Sequence, residues 1–275
     1  MKMTTAEYLK SVYSLEGKNI LMTGGTGGLG SRMAVGMAQA GAKMIVCDIL
    51  PERLDKLAAE IKDNGGDVAT YTMDVTNREE IDNVVTQIIK DHEKVDVLFN
   101  VAGINKREGI LDVTEQTWDK MMGVNLKGLY FVSQRVGLEM YKRRSGNIIN
   151  MASHTTQAGV AGCSVYGATK AAVKALTQVM AIEWAQYGIR CNAIAPGHFR
   201  TELTEPTWIH PVRSKYLCER IAMERPGKAE ELVGLAILLA SDASSYMTGQ
   251  VYHVDGGCLA GGAPWPYDTK FESKY

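Results

Sequence analysis

Apolar positions along the chain alternate between short continuous runs and helical spacing. Asn19 to Met22 is an apolar run that meets a glycine-dense stretch, and Met33, Ala34, Met37 and Ala38 then recur at helical intervals between Ser31 and Ala40. This predicts strand, glycine turn, helix. Gly41 fits a helix C-cap, Lys43 to Cys47 has the character of a second strand, and a helix from Pro51 to about Asp63 follows with the proline at its first position. Asp67 to Met73 and Val95 to Val101 are strand-like, with the helical pattern Asn77 to Asp91 between them. A long helical stretch, Glu115 to Arg143, precedes a strand at Asn147 to Met151; then come helix Gly167 to Gln186, strand Arg190 to Ile194, helix Lys228 to Ala240 and strand Gln250 to Val254. Strands separated by helices of this length imply right-handed crossovers, hence an α/β, doubly wound parallel sheet with helices on both faces.

No tandem repeat or linker divides the sequence, so residues 1–275 are expected to form a single domain. Arg200 to Pro226 is the least regular part, with Pro206, Pro211 and Pro226, and is expected to be a mobile lid near 200–226. Residues 258–275 form a C-terminal extension whose Trp265 and Tyr267, set between prolines, suggest a docked segment at an interface or active-site mouth.

Composition narrows the class of protein. Apolar residues at 45% and charged residues at 22% fit a globular chain and not a disordered one. With 30 Lys+Arg against 31 Asp+Glu, the net charge of -1 gives no broad footprint for nucleic acid or an anionic membrane. The five cysteines are widely spaced without a C-x-x-C pair, which reads as reduced thiols. Met1 to Gly17 lacks the apolar run of a signal peptide, and no stretch is long enough to span a bilayer, so a soluble cytoplasmic protein is expected. His92, His198, His210 and His253 have no ligand spacing, and no metal is expected.

The glycine stretch carries the first chemical signal. In Thr23-Gly24-Gly25-Thr26-Gly27-Gly28-Leu29-Gly30, a strand hands over to a helix, whose free N–H groups and positive dipole end suit a pyrophosphate. Gly24, Thr26, Gly28, Leu29 and Gly30 form the expected dinucleotide cradle of a Rossmann-type fold. Asp48 follows 24 residues after Gly24, at the end of the second strand, where a carboxylate accepts both ribose hydroxyls and disfavours a 2′-phosphate. NAD is therefore expected over NADP.

Tyr166 and Lys170 lie four residues apart on one helical face, and Ser153 ends the strand 13 residues before Tyr166. With these groups the chain resembles the short-chain dehydrogenase/reductase family from Gly17 to about Gly257. The shared motifs are the glycine turn, Asp74-Val75, Asn100-Val-Ala-Gly103, Asn125, Ser153, Tyr166-Gly-Ala-Thr-Lys170, Pro196-Gly197 with Thr201, and Asp255-Gly-Gly257. Val101 stands where many relatives have a second Asn. The resemblance implies that Asp74 and Val75 flank the adenine, that Asn100, Ala102 and Gly103 support the cofactor, and that Pro196, Gly197, Phe199 and Thr201 meet its nicotinamide side. It also implies a homotetramer and a Ser-Tyr-Lys mechanism. In that mechanism Tyr166 is the general base, Ser153 holds the substrate oxygen, and Lys170 binds the ribose and favours the phenolate. Asn125 supports a water that relays protons.

The fold does not select a substrate. After Gly103, the polar segment Ile104-Asn105-Lys106-Arg107-Glu108 suggests an anion clamp by Lys106 and Arg107. His154, Gln157 and His198 add hydrogen-bonding groups, and Trp208 falls in the expected lid. The run Asn100 to Arg107, with Trp118-Asp119 and Phe131-Val-Ser-Gln134, is similar to the gluconate 5-dehydrogenase and 2-deoxygluconate dehydrogenase branch. By that resemblance Arg107 holds a sugar-acid carboxylate. The expected activity is NAD(H)-dependent interconversion of a secondary alcohol and a ketone on a sugar acid or polyol. The alternatives are a steroid or 3-oxoacyl reductase, a sulfonated-sugar dehydrogenase, and a non-catalytic dinucleotide sensor.

Overall fold

In the computed structural model, which describes residues 3–262 apart from residue 203, seven parallel strands form one sheet. They are β1 (Asn19–Thr23), β2 (Lys43–Asp48), β3 (Asp67–Thr72), β4 (Val97–Asn100), β5 (Gly146–Met151), β6 (Ile189–Pro196) and β9 (Val251–Val254). Their order is β3-β2-β1-β4-β5-β6-β9, so the winding reverses between β1 and β4. A crevice outside the strand ends is expected at such a switch point.

Strand periodicity distributes the core to both faces. Ile20, Met22, Met44, Val46, Val97 and Phe99 pack to one side, against α2 (Gly28–Gln39), α3 (Pro51–Asp63) and α10 (Val233–Ala240). Their neighbours Leu21, Ile45, Cys47 and Leu98 pack to the other, against α4 (Arg78–His92), α6 (Leu129–Arg143) and α7 (Ser164–Trp184). Central strands with both faces covered read as unbroken apolar runs, which is how β1 and β4 read in the sequence.

Three elements differ from expectation. Thr5–Tyr13 forms a helix, α1, fixed by a capping box between Thr4 and Glu7; its apolar residues Tyr8, Leu9, Val12 and Tyr13 recur at helical spacing, and none of them is buried. The stretch Glu115 to Arg143 is not one helix: α5 (Glu115–Met122) passes through a π-helical turn, Gly123–Gly128, before α6. Residues 199–228 are more regular than a loop. They form β7 (Phe199–Arg200), α8 (Glu205–Trp208), α9 (Pro211–Cys218) and β8 (Gly227–Lys228), with β7 and β8 paired in parallel. Pro206 and Pro211 are at helix starts, where the missing N–H costs nothing. Trp208, Leu217 and Ile221 form a small core of their own under this region. Trp265 and Tyr267 lie outside the described residues. Among the described residues no helix is long and apolar enough to cross a membrane.

Candidate active site

A cavity of about 820 Å³ opens along the ends of β1, β2, β4, β5 and β6. At its dinucleotide end, Gly24 leaves β1 with φ 66°, a conformation open to glycine, and the Ala102 backbone stands against the face where a Cβ would be. A Cβ on Gly30 would lie 2.8 Å from the Gly24 carbonyl oxygen. Gly27 caps α2 without a side-chain hydrogen bond, so the first N–H groups of that helix have no intrahelical or capping partner. These features fit a pyrophosphate. A bound dinucleotide would lie here, with its nicotinamide supplying the site that accepts or returns a hydride.

Asp48, at the end of β2, is fixed by three hydrogen bonds. Thr26 donates from its hydroxyl at 2.6 Å and its backbone N–H at 3.2 Å, and the Ile49 N–H donates at 2.8 Å. Asp74 similarly accepts from the Thr76 N–H and hydroxyl, both at 2.8 Å. Thr26, Gly28, Leu29, Val75, Ala102, Gly103, Pro196, Gly197, Phe199 and Thr201 are all on the cavity wall. Arg53, a nearby cation that weighs against NAD over NADP, also lines it, as do Ile49, Leu50 and Thr76, whose places just after β2 and β3 put them at the same edge of the sheet.

Asn100 is a correction. Its side chain does not reach the cavity: it is buried behind the wall, where its amide donates to Ser133 at 2.8 Å and Asn150 at 2.9 Å. The end of β4 is held by this network, and support for a cofactor from Asn100 is indirect. Asn125 is also fully buried, in the π-helical turn. Its Oδ1 accepts from the Ile104 N–H at 2.8 Å, and its Nδ2 donates to the Ile104 carbonyl at 2.8 Å and to Thr169 at 3.3 Å. Both amide protons are spent, so the side chain clamps the loop after β4 and has none to give a relay water.

Ser153, Tyr166 and Lys170 meet at the cavity wall. Tyr166 and Lys170 share one face of α7, with the Lys170 Nζ 5.6 Å from the tyrosine ring centre. That ammonium is buried and donates to the Met151 carbonyl at 2.7 Å. Burial pushes Lys170 down to about 8, leaving it still largely protonated at neutral pH. Burial raises the Tyr166 phenol above its ordinary value, and the hydrogen bond with Ser153 works in the opposite direction. In the chain alone desolvation is the larger effect; the expectation that Lys170 and a positive nicotinamide together favour the phenolate concerns the dinucleotide complex.

At the other end, Arg107 lines the cavity and Lys106 does not. The Lys106 ammonium turns to Glu108 at 2.6 Å and the Thr117 hydroxyl at 3.3 Å, so the expected two-residue clamp reduces to Arg107. His154 and His198 are on the wall with ring centres 4.6 Å apart, whereas Gln157 is exposed and off it. The Pro196 carbonyl accepts from His154 Nδ1 at 3.3 Å, which sets the tautomer. Burial lowers both rings, with His198 pushed down to about 4, so two neutral imidazoles face the cavity at pH 7. Trp208, Thr204, Thr207 and Leu217 close this end from the α8–α9 region.

A doubly wound sheet with a glycine cradle and a Ser, Tyr, Lys set in one cavity defines a dinucleotide-dependent oxidoreductase acting on a carbinol or carbonyl group. Comparison with known proteins agrees. A family model described as Enoyl-(Acyl carrier protein) reductase matches residues 24–258. The chain is 38% identical over 251 residues to the 5-keto-D-gluconate 5-reductase of Escherichia coli, covering 91% of this chain and 99% of that one. It is 40% identical over 246 residues to the 3-oxoacyl-[acyl-carrier-protein] reductase of Thermotoga maritima, covering 89% and 99%. The gluconate 5-dehydrogenase of Burkholderia cenocepacia, solved in complex with NADP and tartrate, superposes with a TM-score of 0.88 at 35% identity, covering 91% and 98%. The chain belongs to the short-chain dehydrogenase/reductase family.

Proposed function

We propose that this enzyme interconverts a secondary alcohol and a ketone on a sugar acid, with NAD(H) as hydride carrier and Ser153, Tyr166 and Lys170 as the catalytic set. The observation that carries the substrate reading is Arg107: a guanidinium on the wall at the far end of the same cavity as the glycine cradle, where a carboxylate suits its planar fork. The neutral imidazoles of His154 and His198 supply hydrogen bonds for hydroxyls without competing for that charge. Relatives that act on 5-keto-D-gluconate and gluconate support the same substrate class.

In the oxidative direction Ser153 holds the substrate hydroxyl, and the Tyr166 oxygen takes its proton as the hydride leaves the carbon. Lys170 holds a positive charge close to the phenol throughout, anchored on the Met151 carbonyl. Asn125 acts one layer back, by fixing Ile104 and so the floor of the substrate end.

NAD(H) is favoured by Asp48, whose carboxylate is held on the wall where a 2′-phosphate would stand. A second reading, NADP(H), is favoured by relatives solved with NADP and by Arg53, which lines the same edge of the cavity. Self-association into a tetramer is supported by the apolar side chains Tyr130, Leu138, Tyr141, Val179 and Ile182 exposed on α6 and α7. Five unpaired cysteines support a cytoplasmic setting.

The test is formation of reduced cofactor from gluconate, other sugar acids, neutral polyols and a steroid alcohol, each with NAD and with NADP. Turnover confined to acidic sugars is expected, with NAD the better cofactor. Turnover confined to apolar alcohols or 3-hydroxyacyl thioesters would overturn the substrate reading. Cofactor binding with no turnover of any substrate would indicate a sensor.

A further inference from the structure

Among the described residues, one set of His, Cys and carboxylate groups converges closely enough to share an ion: His154, His198 and Cys258, whose donor atoms all lie within 4.8 Å of one another. They come from three separate places in the chain, the turn after β5, the turn after β6 and the turn after β9, and for this reason no spacing in the sequence discloses them. Neither the catalytic set nor the dinucleotide cradle uses Cys258. We propose that these three side chains bind one zinc ion, with its fourth position open to the substrate end of the cavity.

The donor chemistry selects the metal. Two imidazoles and a thiolate suit Zn²⁺ and its spectroscopic substitute Co²⁺, and not Mg²⁺ or Ca²⁺, which take oxygen ligands. Tetrahedral zinc with these donors needs them about 3.5 Å apart, so closure from 4.8 Å asks each side chain to move inward by less than about 1 Å. The groups behind the donors are already arranged. The Pro196 carbonyl takes the His154 Nδ1 proton and leaves Nε2 with a free lone pair, the outer-shell bond that orients most zinc-binding imidazoles. Asp255 holds the turn that presents Cys258, accepting from the Gly257 and Leu259 N–H groups at 2.9 Å each. On binding, the Zn–S bond forms as the Cys258 thiol proton leaves to solvent.

The position has a consequence for turnover. His154 and His198 are on the cavity wall and Cys258 is not, so the set opens towards the chamber where Ser153 stands. Zinc there competes with the alcohol for that chamber and leaves the dinucleotide cradle free.

The first experiment needs no turnover. Metal-free, untagged, full-length protein is titrated with Co²⁺ and then with Zn²⁺, following the thiolate-to-cobalt charge-transfer band and the stoichiometry. One equivalent per chain is expected, with the band displaced by Zn²⁺, abolished in Cys258→Ser and retained in Cys218→Ser. His198→Ala should weaken affinity by at least about tenfold, since loss of an outer-shell partner alone costs about 10–100-fold. Folding of each variant is checked by circular dichroism. Absence of the band, its survival in Cys258→Ser, or unchanged affinity in His198→Ala would each overturn the site. A second arm rests on the proposed activity: Zn²⁺ should raise the KM for the alcohol without changing that for the dinucleotide. Cys258→Ser, compared with its own zinc-free rate, should lose at least about tenfold of that sensitivity, as for loss of a metal ligand. Inhibition competitive with the dinucleotide would overturn the placement at the substrate chamber, while the cobalt band reports separately on the ion site if no substrate is turned over.

Discussion

At the dinucleotide end, the cavity wall is made of strand ends and the first turns that follow them: Gly24 to Gly30 after β1, Asp48 to Arg53 after β2, Asp74 to Thr76 after β3. At the substrate end it is made of the segment after β4, the turn after β5 and the α8–α9 region, which packs on a small core separate from those that cover the sheet. The first end presents the backbone of the glycine turn and the Asp48 carboxylate in fixed geometry, so its residue types are dictated by close approach and by that one charge. The second binds through side chains carried on loops, so residue types there are free to vary and neighbours in sequence part company, as Lys106 and Arg107 do. A shared cofactor with divergent substrates is the expected outcome of such a division.

Substitutions that act at one end only would sharpen this contrast, and any that act at both would break it. The largest expected effect is at the junction: Tyr166→Phe should cost at least about 100-fold in turnover while dinucleotide affinity, measured by fluorescence titration, stays within about twofold of the parent. Retained turnover would remove Tyr166 from the chemistry.

Lys170→Met should separate activity from stability. An amine whose folded-state pKa lies at about 8, below its free value of 10.5, favours the fold only when neutral. That contribution is complete above pH 10.5 and is lost as the pH falls through about 8. Removing the titration should therefore make the variant gain on the parent by up to about 3 kcal/mol as pH falls through that window, on top of a pH-independent loss from leaving the Met151 carbonyl unpaired. Denaturant unfolding at about pH 10 and pH 7 gives the comparison; a gain that runs the other way would mean that the ammonium is stabilised where it lies.

Two smaller effects address the ends separately. Asp48→Ser should lower kcat/KM with NAD by roughly tenfold or more, the scale of hydrogen bonds to a charged group, and leave the alcohol KM unchanged. Arg107→Gln should raise the KM for a sugar acid by about tenfold with little change for a neutral polyol. An equal loss on both substrates would show that Arg107 supports the loop and not a carboxylate.

The two ends were also unequally legible. The glycine turn and Asp48 could be located because each depends on local spacing; Asp74 and the role of the Tyr166–Lys170 pair come from the family resemblance, and the alternation of apolar runs with helical patterns indicates a doubly wound parallel sheet without fixing its strand order. Asn100 was misplaced because a residue at a strand end points either into the cavity or into the layer behind it, and the pairing with Asn150 and Ser133 that decides this is tertiary. Lys106 was misplaced because its partner Glu108 could not be told from solvent. The helix α1 was missed although Tyr8, Leu9, Val12 and Tyr13 recur at helical spacing behind the Thr4 to Glu7 capping signal, and the break in the Glu115 to Arg143 stretch leaves the apolar spacing nearly intact on either side.

That break makes chain length, more than residue identity, the sensitive variable over Gly123–Gly128. A π-helical turn accommodates one residue beyond the α-helical repeat. Deleting any one of the six would let the turn close to the ordinary α-helical repeat while α5 and α6 keep their phase. Asn125 would then leave the widened turn from which it holds Ile104, whereas Arg143, at the far end of α6, would keep its 2.7 Å bond to the Val95 carbonyl. For anyone splicing this chain with a relative, a one-residue gap here leaves the helices packed as they are and still frees the loop after β4, even if every side chain in the cavity is preserved.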